Sequence, residues 1–458
     1  MILYAPLKEE SMLKRKIEKA LEDFKISSPN SALLLTGARQ VGKTFIVREC
    51  AKRLYRSFLE INFIRQPEAK SLFANLNGED DFFLRLSAFT AMELVPKDTL
   101  VFFDEVQECP EVVTYIKFLV DDGRFQYILT GSLLGVELKD LRSAPVGYLR
   151  EIDMYPLDFR EFIEACGLKA ELLDHVKGCW EGRECVNSGV HQKLMELFRL
   201  YLVVGGMPAA VQRYIDTKNI SAVVAEQRAI LREYRKDASK YDKRNKLKIE
   251  RVLDLIPEEL NKKNKRFVVS DLKSGGRFER LADNFIWVEE AGIGLSVRSA
   301  KDPRVPLRLS RDSAFFKLYM NDVGLLSAMY GDGIQLRILS GDVDMNFGSV
   351  YENFVAQELH AHGFPLYYFT SRKVGEVDFL VEQDGRVKPV EVKSGRHYKS
   401  HPALDGLMRT KEYGIERAIV LSGANCSKTE HVEYLPVYFT MFMEKSGIPD
   451  KMIYELPI

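Results

Sequence analysis

Short apolar runs, each bounded by turn-forming or charged residues, alternate in the first third of the chain with stretches whose apolar positions recur every three to four residues. Residues 32–35, 99–103 and 126–129 are of the first kind, and 13–24 and 44–52 are of the second. Buried strands alternating with amphipathic helices predict a parallel α/β sheet over residues 1–165. Residues 166–245 read as helical, interrupted by Gly205-Gly206-Met207-Pro208, and predict a helical lid beside that domain. Over 246–330 the pattern changes again. Helices are expected at 247–260, 267–272 and 278–291, the last closed by Gly292, followed by an extended hairpin. Three short helices and a hairpin describe a winged helix-turn-helix. Residues 331–458 are expected to form a second α/β domain.

The turn after the first apolar run reads Gly37-Ala38-Arg39-Gln40-Val41-Gly42-Lys43-Thr44, a complete phosphate-binding loop between strand and helix. Its glycines let successive backbone N–H groups point at a triphosphate. Lys43 reaches the β- and γ-phosphates, and the Thr44 hydroxyl is a ligand for Mg²⁺. Asp104 and Glu105 close the apolar run at 99–103; Asp104 is placed to hold Mg²⁺ and Glu105 to polarise the attacking water. The run at 126–129 ends in Thr130 and Ser132, either of which could sense the γ-phosphate. Arg142 and Arg150 are candidates for a charge-stabilising arginine. The cofactors implied are ATP and Mg²⁺.

Composition narrows the partners. The formal net charge is zero and hydrophobic residues make up 46% of the 458, so there is core enough for several domains and no global pull toward nucleic acid. Residues 228–280 nonetheless hold 17 Lys and Arg against 9 Asp and Glu, a local excess suited to DNA phosphates; a winged helix used for packing is the alternative. No apolar stretch approaches the ~20 residues of a membrane span. With no paired cysteine framework, the expectation is a cytoplasmic protein without membrane contact. Cys179, Cys185 and His191 match no metal spacing and read as structural.

The second constellation lies in 375–393, where alternating residues flank Asp384-Gly385, a strong hairpin signal. A turn on that pair sets Asp378 opposite Glu391, with Cβ atoms about 4.5–5.5 Å apart. Facing carboxylates repel unless a positive charge lies between them. Lys393, on the face of Glu391, could supply part of it and a divalent metal more, and that metal would ready a water for attack on a phosphodiester. A helix at 348–359 carries Glu352 and Glu358, either of which could add a ligand.

This Asp, Glu-x-Lys arrangement after a Glu-bearing helix resembles the PD-(D/E)XK, restriction-endonuclease-like nuclease superfamily, which maps onto Glu352, Asp378, Glu391 and Lys393. Nearly end to end, the chain resembles prokaryotic AAA-type P-loop ATPases that carry a C-terminal domain of unknown function. The resemblance rests on the phosphate loop, Asp104-Glu105-Val106-Gln107, Leu129-Thr130-Gly131-Ser132 and the stretch from Tyr155 to Phe162. It continues through Gly205-Gly206-Met207-Pro208, the stretch from Phe316 to Leu326, Glu376-Val377-Asp378-Phe379 and the stretch from Pro389 to Ser394. It implies nucleotide contacts at Gly42, Lys43 and Thr44 and hydrolysis support from Asp104 and Glu105. Two functions follow as expectations. One is an ATPase whose winged helix and nuclease-like domain act on DNA. The other is a nucleotide-controlled scaffold whose nuclease-like domain no longer cleaves and docks a partner.

Overall fold

The apolar runs become strands covered on both faces. In the computed structural model β1 (Ala32–Thr36), β2 (Ser57–Asn62), β3 (Thr99–Asp104), β4 (Gln126–Thr130) and β5 (Leu149–Asp153) form one sheet in the order β2-β3-β4-β1-β5. Every neighbouring pair is parallel. All residues of β1 and β3 are buried, which is why they read as continuous apolar segments rather than alternating ones. Phe63, Phe73, Phe82, Phe103 and Tyr127 fill the core on one side, with Phe63 and Phe103 stacked at 6.1 Å between ring centroids. The structure describes residues 13–27, 30–131, 147–241, 246–262, 265, 267–268, 279–341, 347–447 and 453.

The chain folds into two units. One contains the segment ending at Leu157 together with Met207–Asp216 and Ile286–Ile293; the other contains Asp158–Gly206, Thr217–Phe285 and the segment from Gly294 onward. The chain therefore passes from one unit to the other after Leu157, Gly206, Asp216, Phe285 and Ile293. Among the described residues no single helix is long and apolar enough to cross a membrane.

The second unit is built on nine strands: β6 (Phe267–Val268), β7 (Gly294–Ala300), β8 (Arg311–Met320), β9 (Tyr367–Ser371), β10 (Gly375–Gln383), β11 (Arg386–Lys393), β12 (Ala418–Ser422), β13 (Ser427–Lys428) and β14 (Val432–Pro436). Their order is β13-β14-β12-β11-β10-β9-β7-β8-β6. The hairpin register expected around Asp384 holds: Phe379 faces Val390 and Gln383 faces Arg386. Asp384 and Gly385 both take positive φ, 53° and 70°, as a tight two-residue hairpin turn requires.

The winged-helix expectation changes here. The helices Lys246–Asn261 and Glu279–Glu290 form, but Phe267–Val268 is a strand paired with β8 rather than the start of a helix. The expected wing, β7 and β8, is part of the large sheet, with β7 running parallel to β9. Short apolar stretches suit either helix or strand, and the pairing partner decides.

Two of the resemblance motifs lock together inside this unit. Gly205 has φ 70°, and a Cβ there would lie 2.2 Å from Asp322 Oδ1. The buried Asp322 carboxylate accepts from the Gly206 N–H at 2.5 Å and from Leu325 N–H at 2.9 Å, capping the helix Val323–Met329. Glu358 also proves structural: wholly buried, it accepts from the Phe159 N–H at 2.9 Å. It thereby serves the first turn of the helix Phe159–Ala165, which Asp158 and Glu161 close with a capping box. His191 holds Tyr438 (2.9 Å) and the Gly423 carbonyl (3.2 Å), and the Cys185 thiol donates to the Cys426 carbonyl at 2.8 Å. These are packing roles.

Candidate functional site

β4 lies between β1 and β3, so the loop after β1, the end of β4 and the end of β3 converge at the carboxyl edge of the sheet, where α/β proteins bind ligands. Gly37 has φ 118°, and a Cβ there would meet the Met154 carbonyl oxygen at 2.1 Å; only glycine fits. Gly42, with φ 96°, precedes the helix Lys43–Leu54. Lys43 Nζ folds back onto the carbonyls of Gly37 (2.7 Å) and Ala38 (2.9 Å). The Thr44 hydroxyl lies 3.1 and 3.2 Å from the two Asp104 oxygens. Asp104 also accepts from Asn62 Nδ2 at 2.8 Å and from the Thr130 hydroxyl. Thr130 thus orients the carboxylate. Asn62 was not singled out from sequence, although it ends β2 directly opposite Asp104 in the register.

Arg39, Gln40, Gly42, Lys43, Thr44 and Glu105 line a cavity of about 470 Å³, together with Arg48, Arg65 and Gly131. Val41 is wholly buried beneath the loop and Ala38 nearly so. Glu105 is held at φ 58°, and its Oε2 accepts from Gln107 at 2.6 Å. Burial lowers the Lys43 pKa to about 8, with Glu105 and Asp104 pulling the other way. Burial raises the Asp104 carboxyl above its ordinary value and the repulsion of Glu105 adds to it, against the hydrogen bonds from Thr130, Asn62 and Thr44. A hydroxyl and a carboxylate side by side are hard oxygen donors that fit Mg²⁺; Thr44 and Asp104 would hold it, and the ion would neutralise phosphate charge. Arg150 lies exposed on the edge strand β5 and is not among the cavity residues; Ser132 and Arg142 fall outside the described residues.

The facing carboxylates of the second unit sit in a denser charge network than sequence suggested. Asp378 Oδ2 accepts from the Val392 N–H at 2.9 Å, just where the β10–β11 ladder ends. Lys393 Nζ lies 2.8 Å from Glu391 Oε1. Glu352 accepts from the Tyr319 hydroxyl at 2.8 Å and pairs with Lys265. Between them stands a lysine that the sequence reading left without a role. Lys317 of β8 is fully buried, 2.9 Å from Glu376 and 3.8 Å from Asp378. Its side chain reaches β10 although β7 and β9 lie between in the strand order, and register shifts interrupt the β7–β8 and β9–β10 pairings. Burial drives the Asp378 carboxyl well above the usual range, with Glu352 and Glu391 adding to it and Lys317 opposing. Burial alone would lower Lys317, but Glu376, Glu352 and Asp378 hold it above its ordinary value. Among the described residues no group of three or more His, Cys, Asp or Glu is gathered to hold a metal ion.

Residues 29–163 match a family model described as an AAA domain. Residues 29–163 are an AAA-type P-loop ATPase domain. Two further segments match models described only as domains of unknown function, DUF8612 over 195–336 and DUF4143 over 347–439. No curated protein matches the chain. Among solved structures it is similar to the Walker-type ATPase PABY2304 of Pyrococcus abyssi, at 15% identity over 70% of this chain and 97% of that one, TM-score 0.42. Orc1 of Aeropyrum pernix in complex with DNA shares 13% identity over 72% and 95%, TM-score 0.27. The RuvB Holliday junction branch migration motor of Thermotoga maritima shares 17% over 64% and 89%, TM-score 0.27.

The AAA domain carries a pH signature. Lys43 is cationic below about pH 8 and loses its charge above it, and a bound triphosphate would hold the proton on. Affinity linked to that proton is therefore full below the free-state pKa and falls as pH rises through it. ATP binding is expected to be level from pH 6.5 to 7.5 and to weaken severalfold by pH 9, measured with a fluorescent ATP analogue. A flat profile to pH 9 would mean that Lys43 keeps its proton in the free AAA domain.

Proposed function

We propose that the chain is a Mg²⁺-dependent ATP hydrolase whose nucleotide state controls the second unit, and that this unit serves as a docking module rather than a nuclease. The AAA domain supports the first half. The observation that carries the second is Lys317: a fully buried ammonium beside Glu376 and Asp378 supplies from within the chain the positive charge that facing carboxylates demand. With Lys393 on Glu391 and Lys265 on Glu352, each carboxylate of the constellation has a lysine beside it. Part of the basic 228–280 segment is similarly engaged, as in the pairs Arg228–Asp332, Arg235–Asp254 and Lys262–Glu259.

The second reading is metal-dependent cleavage of DNA by Asp378, Glu391 and Lys393. It is favoured by Glu391 Oε2, which is buried without a hydrogen-bond partner among the described residues, and by the local excess of Lys and Arg over 228–280. One experiment separates the two. The purified protein is incubated with plasmid and single-stranded DNA in Mg²⁺ or Mn²⁺, with and without ATP, beside Asp378→Asn and Glu391→Gln. ATP turnover is followed in the same samples. Turnover without cleavage is expected; cleavage lost in both variants would replace the docking reading with the nuclease.

A further inference from the structure

A second cavity, of about 530 Å³, opens in the second unit at the carboxyl ends of the parallel pair β11 and β12. Its floor is made of the short connections that leave those strands, Ser394-Gly395-Arg396 and Gly423-Ala424. The helix Ser188–Val204 contributes Met195, Arg199 and Leu202 to the wall, and Phe347, Tyr351 and Tyr398 bring aromatic rings. The volume falls within the range of small-molecule sites, roughly 300–1,000 Å³, and mostly apolar walls with a few convergent polar groups are their usual form.

Among the described residues the charge of this cavity is one-sided: no carboxylate lines it, whereas two guanidinium groups do. Arg199 Nε is buried and has no hydrogen-bond partner among the described residues. Lys317, a fully buried lysine of this unit, is by contrast matched by Glu376 at 2.9 Å. His191, on the same wall, is already committed to Tyr438 and Gly423, and burial lowers its pKa. The positive charge at the cavity is therefore that of the two arginines. A guanidinium pairs bidentately with phosphate, and desolvation at the cavity wall strengthens that pairing. Tyrosine and phenylalanine offer faces on which a flat ring can stack.

We propose that this cavity binds a phosphorylated ring compound of mononucleotide size, with Arg199 and Arg396 on the phosphate and the aromatic wall against the ring. It is a ligand site separate from the phosphate loop and gives the ATPase a second small-molecule input.

The test uses full-length Lys43→Ala protein, in which the phosphate loop is disabled, titrated calorimetrically with AMP, GMP, CMP, UMP and inorganic phosphate. At least one mononucleotide is expected to bind in the micromolar range and inorganic phosphate at least tenfold more weakly. Adding Arg199→Gln or Arg396→Gln is expected to weaken the mononucleotide roughly tenfold or more, the usual scale for losing a charged hydrogen bond, while Arg199→Lys recovers part of it. Arg396 is exposed, so its replacement tests the site even if Arg199→Gln disturbs the fold. Mononucleotide affinities no better than millimolar would overturn the proposal. Binding unchanged by both arginine replacements would place the ligand outside this cavity and overturn the proposal equally.

Discussion

Lys43→Ala is expected to abolish ATP turnover, lowering it by roughly a hundredfold or more, the scale on which preorganised charge acts in phosphoryl transfer. Lys43 is the cation held inside the loop, with Nζ on the Gly37 and Ala38 carbonyls, and alanine leaves nothing of that charge or reach. Thr44, Asp104, Asn62 and Thr130 keep their mutual hydrogen bonds, so the fold should survive with little change in melting temperature. Phosphate release and binding of a fluorescent ATP analogue are the two readouts. Turnover that persists in a well-folded variant would place the chemistry outside this loop.

Lys317→Met is expected to be the most destabilising single change in the second unit. The ammonium is fully buried within 3.8 Å of two carboxylates and 5.1 Å from the centre of the Tyr368 ring. Removing one partner of a buried ionic cluster leaves charge uncompensated, typically at a cost of about 3–5 kcal/mol. The pH dependence has a definite sign. Without the lysine, Asp378, already raised by burial, titrates still higher in the folded state than in the unfolded chain. Raised carboxyl groups bind more protons folded than unfolded, so stability falls as pH rises between those two values. The deficit should be smallest near pH 5 and grow toward pH 7.5 in urea denaturation. A loss below about 1 kcal/mol at neutral pH would show that the carboxylates do not depend on Lys317. Recovery of the lost stability by added Mn²⁺ would show that they can accept a metal in its place, which the nuclease reading requires.

Those two residues also mark the boundary of what sequence makes legible. Lys43 sits in a contiguous pattern, flanked by a strand and a helix that hydrophobic spacing reveals, and its chemistry follows from its neighbours. The register around Asp384 is legible for a similar reason, since a tight turn fixes which residues face each other. Lys317 is different. It lies in an apolar stretch from Phe316 to Met320, and its partners are on β10, with β7 and β9 between them in a sheet whose strand order no local signal reveals. The one available hint was the charge itself, because a lysine within a buried strand needs a counter-ion. Asn62 was legible in principle, by aligning the ends of two predicted parallel strands. Phe267–Val268 was not, since two residues carry no periodicity and took their conformation from β8.

The path of the chain through its two units bears on ancestry. A piece ending where the AAA match ends, at residue 163, keeps every residue of the phosphate-binding pattern. It would lack Met207–Asp216 and Ile286–Ile293, which belong to the same unit. Pro208 comes within 3.7 Å of where a Cβ on Gly42 would stand, and a Cβ on Gly292 would lie 3.0 Å from the Ala38 nitrogen, so both missing segments border the loop itself. A recombination event that copied only the first third of the gene would transmit the motif without its surroundings. Because the units alternate along the chain, neither corresponds to one uninterrupted stretch of coding sequence.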